Sequence, residues 1–109
     1  MKSKIETYLG FCVRAGKIVY GADNVENQKK GVKLLIFDRA ISPNSLKVLI
    51  KSQERLQCPV LETTENVLGA YLHKPAVKAV AIKDEHLASA ILSVVDDDPQ
   101  FKLYSGGTK

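Results

Sequence analysis

The chain has 109 residues, 45% of them apolar and 26% charged, and a formal net charge of +4. That length is enough for one domain with a real core, and the basic excess points towards an anionic partner. Two cysteines are too few for a disulfide framework, and no apolar run approaches the ~20 residues of a membrane span.

The opening MKSKIETYLG lacks the uninterrupted apolar stretch of a signal peptide. Ile5, Tyr8, Leu9, Cys12 and Val13 then recur at the spacing of one helix face, behind a capping box of Ser3 and Glu6. Cys12 and Cys58 both lie in apolar periodic segments and read as reduced core residues, so the expected location is cytoplasmic. Gly16 closes the first helix, and Ile18-Val19-Tyr20 makes a very short strand. Gly21 turns the chain into a second helix. Its expected N-cap is Asp23, with Glu26 three residues on, and its expected C-cap is Gly31.

Lys33 to Phe37 reads as a buried strand. Ser42-Pro43 is an N-cap followed by proline at the first helical position, opening a helix that carries Leu46, Leu49, Ile50 and Leu56. Pro59-Val60-Leu61 is a short strand. Thr64 begins a helix with Val67, Leu68, Tyr71 and Leu72, and Lys78 to Lys83 is a further strand. Asp84 caps a last helix that runs through Val95. Asp96-Asp97-Asp98 ends it against the macrodipole, so fraying is expected there, with a loosely held tail beyond. Alternating helices and strands predict an α/β protein: a three-layer α/β/α sandwich around a four-stranded sheet. The expected boundaries are a single domain over 1–95 and a tail over 96–109.

Catalytic chemistry finds no foothold. Gly10 to Lys17 superficially resembles a P-loop. Five residues instead of four separate its glycines, Ile18 replaces the magnesium-binding Ser/Thr, and the segment reads as helix. His73 and His86 have no ligand-spaced Cys, Asp or Glu to complete a metal site. No carboxylate pair or nucleophile elbow stands out. The expectation is a non-enzyme with no catalytic residue, no metal and no cofactor.

Three loops carry a functional reading. In the first, Lys17 to Asn27, small residues, polar side chains and backbone N–H groups meet at a helix start, with Lys17, Lys29 and Lys30 expected nearby. Such a helix start suits a phosphate or a base edge. The second, Phe37-Asp38-Arg39-Ala40, lies at a strand carboxyl end, where open α/β sheets form ligand crevices. The third, His73 to Lys78, mixes lysine with small apolar residues, as a loop touching an unstacked base does. Each also has a plain reading as a capped helix, a solvated arginine or a simple connection.

Together these pieces, LGFCVRAGKIVYG, KLLIFDRAISPNS, LGAYLHK and KAVAIKDEHLASAIL, resemble the kink-turn RNA-binding family of ribosomal proteins L seven Ae and L thirty e. The small bacterial YlxQ-like members are the most similar, and the resemblance runs to about Val95. It implies a non-catalytic RNA-binding protein of ribosomal type, which recognises the sheared G·A pairs of a kink-turn, with the ribosome as a candidate partner. Within the family's Gly-x-Asn-Glu-x-x-Lys stretch, Gly21 matches. Asp23, Asn24 and Asn27 stand where Asn, Glu and Lys are usual.

By the same resemblance, Gly21 and Ala22 allow close backbone approach, and Asp23 and Asn24 contact base edges. Asn27 lies along the same helix face. Lys17, Arg39 and Lys78 bind phosphates, and Ala76 and Val77 form the apolar loop beside a flipped base. Leu68, Gly69 and Lys74 also match; His73 stands where glycine is common, and Arg39-Ala40 replaces a frequent Glu-Asp pair. A second reading keeps the fold but makes it a protein-interaction module without specific RNA recognition, which the departures at Asn24 and Asn27 suit.

Overall fold

The computed structural model describes residues 3–105. The elements are α1 (Lys4–Ala15), β1 (Ile18–Tyr20), α2 (Ala22–Glu26), β2 (Leu34–Asp38), α3 (Pro43–Leu56), β3 (Val60–Thr63), α4 (Val67–Leu72), β4 (Ala79–Ile82), α5 (Glu85–Ser93), a 3-10 turn over Val95–Asp97, and β5 (Phe101–Ser105). Local signals set most helix starts. Ser3 Oγ accepts from Ile5 N–H, Ser42 Oγ from Ser45 N–H and Asp84 Oδ1 from Leu87 N–H. Gly16, at φ 68°, ends α1 in the left-handed conformation that glycine adopts without steric cost.

Among the described residues the strands form one sheet in the order β1-β4-β2-β3-β5. Only β2 and β3 run parallel; the other neighbours are antiparallel. Strand alternation splits the core between the two faces. Leu34, Ile36, Val80 and Ile82 pack with Ile5, Leu9, Leu68 and Ile91 of α1, α4 and α5. Leu35, Phe37, Ala79 and Ala81 pack with Val25 and Leu49 of α2 and α3. The mixed α/β class read from the sequence holds.

The four-stranded expectation is corrected to five strands, and with it the boundary at residue 95 and the loose tail. β5 pairs antiparallel with β3, and Phe101 is buried in the core. Asp98 makes this possible. Far from fraying, its buried carboxylate accepts from Ser3 Oγ at 2.7 Å and Tyr71 Oη at 3.0 Å through Oδ2, and from Gln100 N–H at 3.0 Å through Oδ1. It ties the end of the 3-10 turn to α1 and α4 and directs the chain into β5. Residues 106–109 of the expected tail lie outside the described residues.

Two further boundaries shift. α2 ends at Glu26 with Asn27 as its C-cap, so Gly31 does not cap it; Gly31, at φ 86°, makes a separate turn before β2. α4 begins at Val67, not Thr64, because Asn66 adopts φ 67° and breaks the helical path.

Cys12 and Cys58 belong to clusters on opposite faces of the sheet and are free thiols. Burial pushes the Cys12 thiol from 9.0 up to about 11, with the Asp84 charge adding to it. Burial alone raises Cys58 to about 11. In the unfolded chain both thiols ionise near pH 9, whereas the fold holds them neutral. Their contribution is therefore intact below pH 9 and is lost as pH rises towards 11, on the order of 2 kcal/mol per thiol. Urea-unfolding midpoints should fall steeply from pH 9 to 11, and less steeply in Cys12→Ala/Cys58→Ala. Parallel pH profiles for the two proteins would contradict this account.

Candidate nucleic-acid interface

The antiparallel pairing of β1 with β4 and of β4 with β2 brings three loops to one end of the sheet. Gly21 N–H donates to Ala79 O at 2.8 Å, and Asp38 N–H donates to Lys78 O at 2.8 Å. The exit from β1, the exit from β2 and the entry to β4 are therefore stitched side by side. Gly21, Ala22, Ala40, Ile41, Ser42, Ser45, Ala76, Lys78 and Ala79 line a shallow cleft of about 370 Å³. Its wall includes the start of α3, a 14-residue helix whose N-terminal dipole favours negative charge. α2 has only 5 residues, so its own dipole adds little.

Gly21 is the N-cap of α2, at φ 90° and ψ 143°, a conformation strained for any other residue. This corrects the expectation that Asp23 caps the helix. Asp23 lies inside the first turn with its carboxylate exposed, because the chain enters helical geometry one residue earlier, at Ala22. Asn24 is exposed, and its Nδ2 donates to Tyr20 O at 2.8 Å, which fixes the amide beside the helix start and makes Oδ1 its acceptor.

Lys78 Nζ donates to Asn66 Oδ1 at 3.0 Å and to Pro75 O at 3.3 Å, which leaves one ammonium N–H for a ligand. Ala76 is exposed and Val77 half-buried against the core, so the apolar loop presents a small, rigid surface. Arg39 follows β2 at the same sheet end. Its guanidinium turns towards β3 and meets Glu62 at 3.5 Å, and Lys102 shares that carboxylate at 3.4 Å. Arg39 is half-exposed and partly neutralised, at the rim of the cleft.

Two expected members stand apart. Lys17 precedes β1, and its carbonyl accepts from Lys83 N–H at 2.8 Å beyond the far end of β4, so it lies at the opposite end of the sheet from Gly21. The three residues of β1 lie between the two, four steps at ~3.3 Å each, more than a lysine side chain spans. Asn27 caps the C-terminal end of α2, away from the cleft, and lines a hollow with Glu26, Gln28, Lys29 and Arg55. Arg55 binds the carbonyls of Gln28 and Glu26 there. Lys29 and Lys30 follow Asn27 and are likewise not beside the α2 start.

Sequence reasoning named Lys74 and Asp38 without giving them a role and did not single out Asn66. Lys74 Nζ sits 5.4 Å from the centre of the Tyr20 ring, a cation over an aromatic face next to Gly21. Asn66 positions Lys78. Asp38 is wholly buried, and it joins the loops: Oδ1 accepts from Ala40 N–H and Asn66 N–H, both at 2.9 Å, and Oδ2 from Leu68 N–H at 3.2 Å and Thr63 Oγ1 at 3.3 Å. An acidic residue ending an otherwise apolar strand was the available signal. His73 adopts φ 58°, which explains why glycine suits that position.

No group of three or more His, Cys, Asp or Glu side chains is arranged to hold a metal among the described residues, and no described helix is long and apolar enough to cross a membrane. No family model and no curated protein matches this chain. Among solved structures it is similar to a protein from Bacillus halodurans described as having unknown function. The two share 22% identity over 87% of this chain and 99% of that one, with a TM-score of 0.73. At that identity the likeness establishes the α/β fold alone.

Proposed function

We propose that the chain is a non-catalytic RNA-binding protein with a three-layer α/β/α fold of the kink-turn-binding type, and that the cleft between Gly21 and Lys78 is its RNA site. One observation carries this reading. Three loops that are distant in sequence, and that separately resemble the family's RNA-contacting segments, line or border one cleft. That cleft is small and mostly uncharged at its floor, has lysine at its mouth, and is entered beside a glycine with no side chain to obstruct a nucleotide.

The roles follow from the geometry. The free N–H of Lys78, with Lys74 beside it, grips backbone phosphates. Asp23 and the Oδ1 of Asn24 accept from the amino group of guanine. Ala76 and Val77 form a small apolar surface for a base displaced from its stack. A partner of ribosomal type, in the cytoplasm, fits this chemistry.

Lys78→Ala should lower affinity for a kink-turn RNA and flatten its salt dependence by roughly 0.9 on a log–log plot, the loss of one phosphate contact. Asp23→Ala and Asn24→Ala should instead erode discrimination against a control RNA by about 1–3 kcal/mol each. Lys17→Ala should leave that discrimination intact. Electrophoretic mobility shifts across a salt series read all four variants. Equal loss of discrimination in Lys17→Ala and Asn24→Ala would move the site away from the cleft.

A further inference from the structure

The opposite end of the sheet holds a second basic surface. Lys17 precedes β1, Lys83 follows β4 and Lys33 precedes β2. These strands are neighbours in the order β1-β4-β2. Lys83 N–H donates to Lys17 O at 2.8 Å, and Lys33 N–H donates to Ile82 O at 2.8 Å, so the three lysines leave adjacent strand ends in a row. Neighbouring strands lie ~4.8 Å apart, so the row spans roughly 10 Å.

The loop before β2 adds Lys29 and Lys30. Gly31 packs against the Lys83 side chain, its built Cβ position lying 3.6 Å from Lys83 Cε, and Lys83 Nζ donates to Gln28 Oε1 at 2.7 Å. The loop is thus fastened to the row. Lys17, Lys29, Lys30 and Lys33 are exposed.

These five lysines outweigh the whole formal net charge of +4. The carboxylates close to them in the chain are Glu26, Asp84 and Glu85, and Asp84 is committed to Leu87 N–H. Among the described residues both ion pairs involve Glu62, at the other end of the sheet, and none involves these lysines. Five lysines against these three carboxylates, with no ion pair between them among the described residues, leave the surface net positive.

We propose that this row is a second RNA-binding surface, which grips the sugar–phosphate backbone of a plain duplex. The partner class follows from the residue type. Protein interfaces are depleted in lysine and centre on aromatic and arginine anchors, whereas phosphate contacts use flexible cationic side chains without shape selection. The row offers lysines and no aromatic anchor. Lys83 lies five residue steps along β4 from Lys78, at ~3.3 Å each, so one RNA helix on the row leaves the cleft open to another segment. The proposal shares with the functional reading above only the class of partner.

The test is fluorescence anisotropy with a loop-free duplex RNA across a salt series, using the full chain. Lys17→Gln/Lys30→Gln/Lys33→Gln should weaken duplex binding at least tenfold at low salt and flatten the log–log slope by about 2–3, near 0.9 per phosphate lost. The matching triple Lys→Arg variant should bind as the parent does, and Lys51→Gln, at an exposed lysine of α3 outside both surfaces, should leave duplex binding unchanged. Unaltered melting of the triple Gln variant assigns the loss to the surface. Parent-like duplex affinity and slope in that variant, no duplex binding by the parent protein, or competition by polyglutamate as strong as by RNA of equal charge would each overturn the proposal. Loss of kink-turn preference with the duplex results intact would count against the cleft and leave this surface standing.

Discussion

Asp38→Ala should melt at least ~10 °C below the parent protein. The carboxylate is fully buried and accepts four hydrogen bonds, from Ala40, Thr63, Asn66 and Leu68. Removing it takes the acceptor from the buried Leu68 N–H and the part-buried Asn66 N–H, while Thr63 Oγ1 can still donate to Thr64 O at 3.0 Å, at a cost of about 3 kcal/mol. For a domain of this size each kcal/mol moves the melting point by roughly 4–8 °C. Asp38→Asn should recover little of the loss, because its amide N–H groups would face donors. Function should suffer beyond stability. The same carboxylate joins the turn after β2 to the start of α4, and Asn66 there holds Lys78. A circular-dichroism melt within about 2 °C of the parent would show that these bonds are replaceable and that the loops are fastened by something else.

Gly69→Ala should also destabilise, against the local rule. In an open helix the change favours folding by up to ~1 kcal/mol. Here the new Cβ would lie 2.8 Å from Lys74 O, 2.9 Å from Pro75 Cα and 3.0 Å from Pro75 O. Those are backbone atoms, and Lys74 N–H is itself bonded to Gly69 O at 2.9 Å, so the loop cannot yield cheaply. Overpacking of this kind costs about 1–3 kcal/mol, more than the propensity gain. The displaced segment carries Lys74, Pro75 and Ala76 at the cleft. Kink-turn RNA affinity should therefore fall at least tenfold even at temperatures where the variant is folded. Paired melting and binding curves read both effects. A stabilised variant with parent-like affinity would show that the 74–78 loop moves freely and that its placement is not what makes the site.

What the sequence disclosed was what is local. The starts of α1, α3 and α5 were legible because Ser3, Ser42 and Asp84 bond within their own first turns. The apolar face of α1 was legible because Ile5, Leu9 and Cys12 repeat at helical spacing. The start of α2 was misread because its decisive feature is a backbone angle at Gly21, whereas Asp23 offered a familiar side-chain cap. β5 was missed because its stability is non-local. Phe101–Ser105 is held by pairing with β3, and the chain reaches that position through Asp98, whose partners Ser3 and Tyr71 lie far off in sequence.

The candidate site divides in the same way. Gly21, Asn24 and Lys78 could be singled out from short motifs, and the β1 strand between Lys17 and Gly21 already separates those two, whereas the placing of Lys78 beside Gly21 and away from Lys17 depends on β1 pairing antiparallel with β4. No window along the chain reveals that pairing. It also turns one apparent basic region into two surfaces, Lys74 and Lys78 at one end of the sheet and Lys17, Lys33 and Lys83 at the other.

The most direct test of the RNA-binding account is a pair of equilibrium titrations at a single salt concentration. One RNA carries a kinked internal loop with tandem sheared G·A pairs, and the other has those pairs changed to Watson–Crick pairs. The cleft should favour the first at least tenfold, and Lys78→Ala should weaken binding to it. Equal affinity for the two RNAs, in a protein whose melting curve shows it folded, would contradict kink-turn recognition and favour the protein-interaction reading of the same fold.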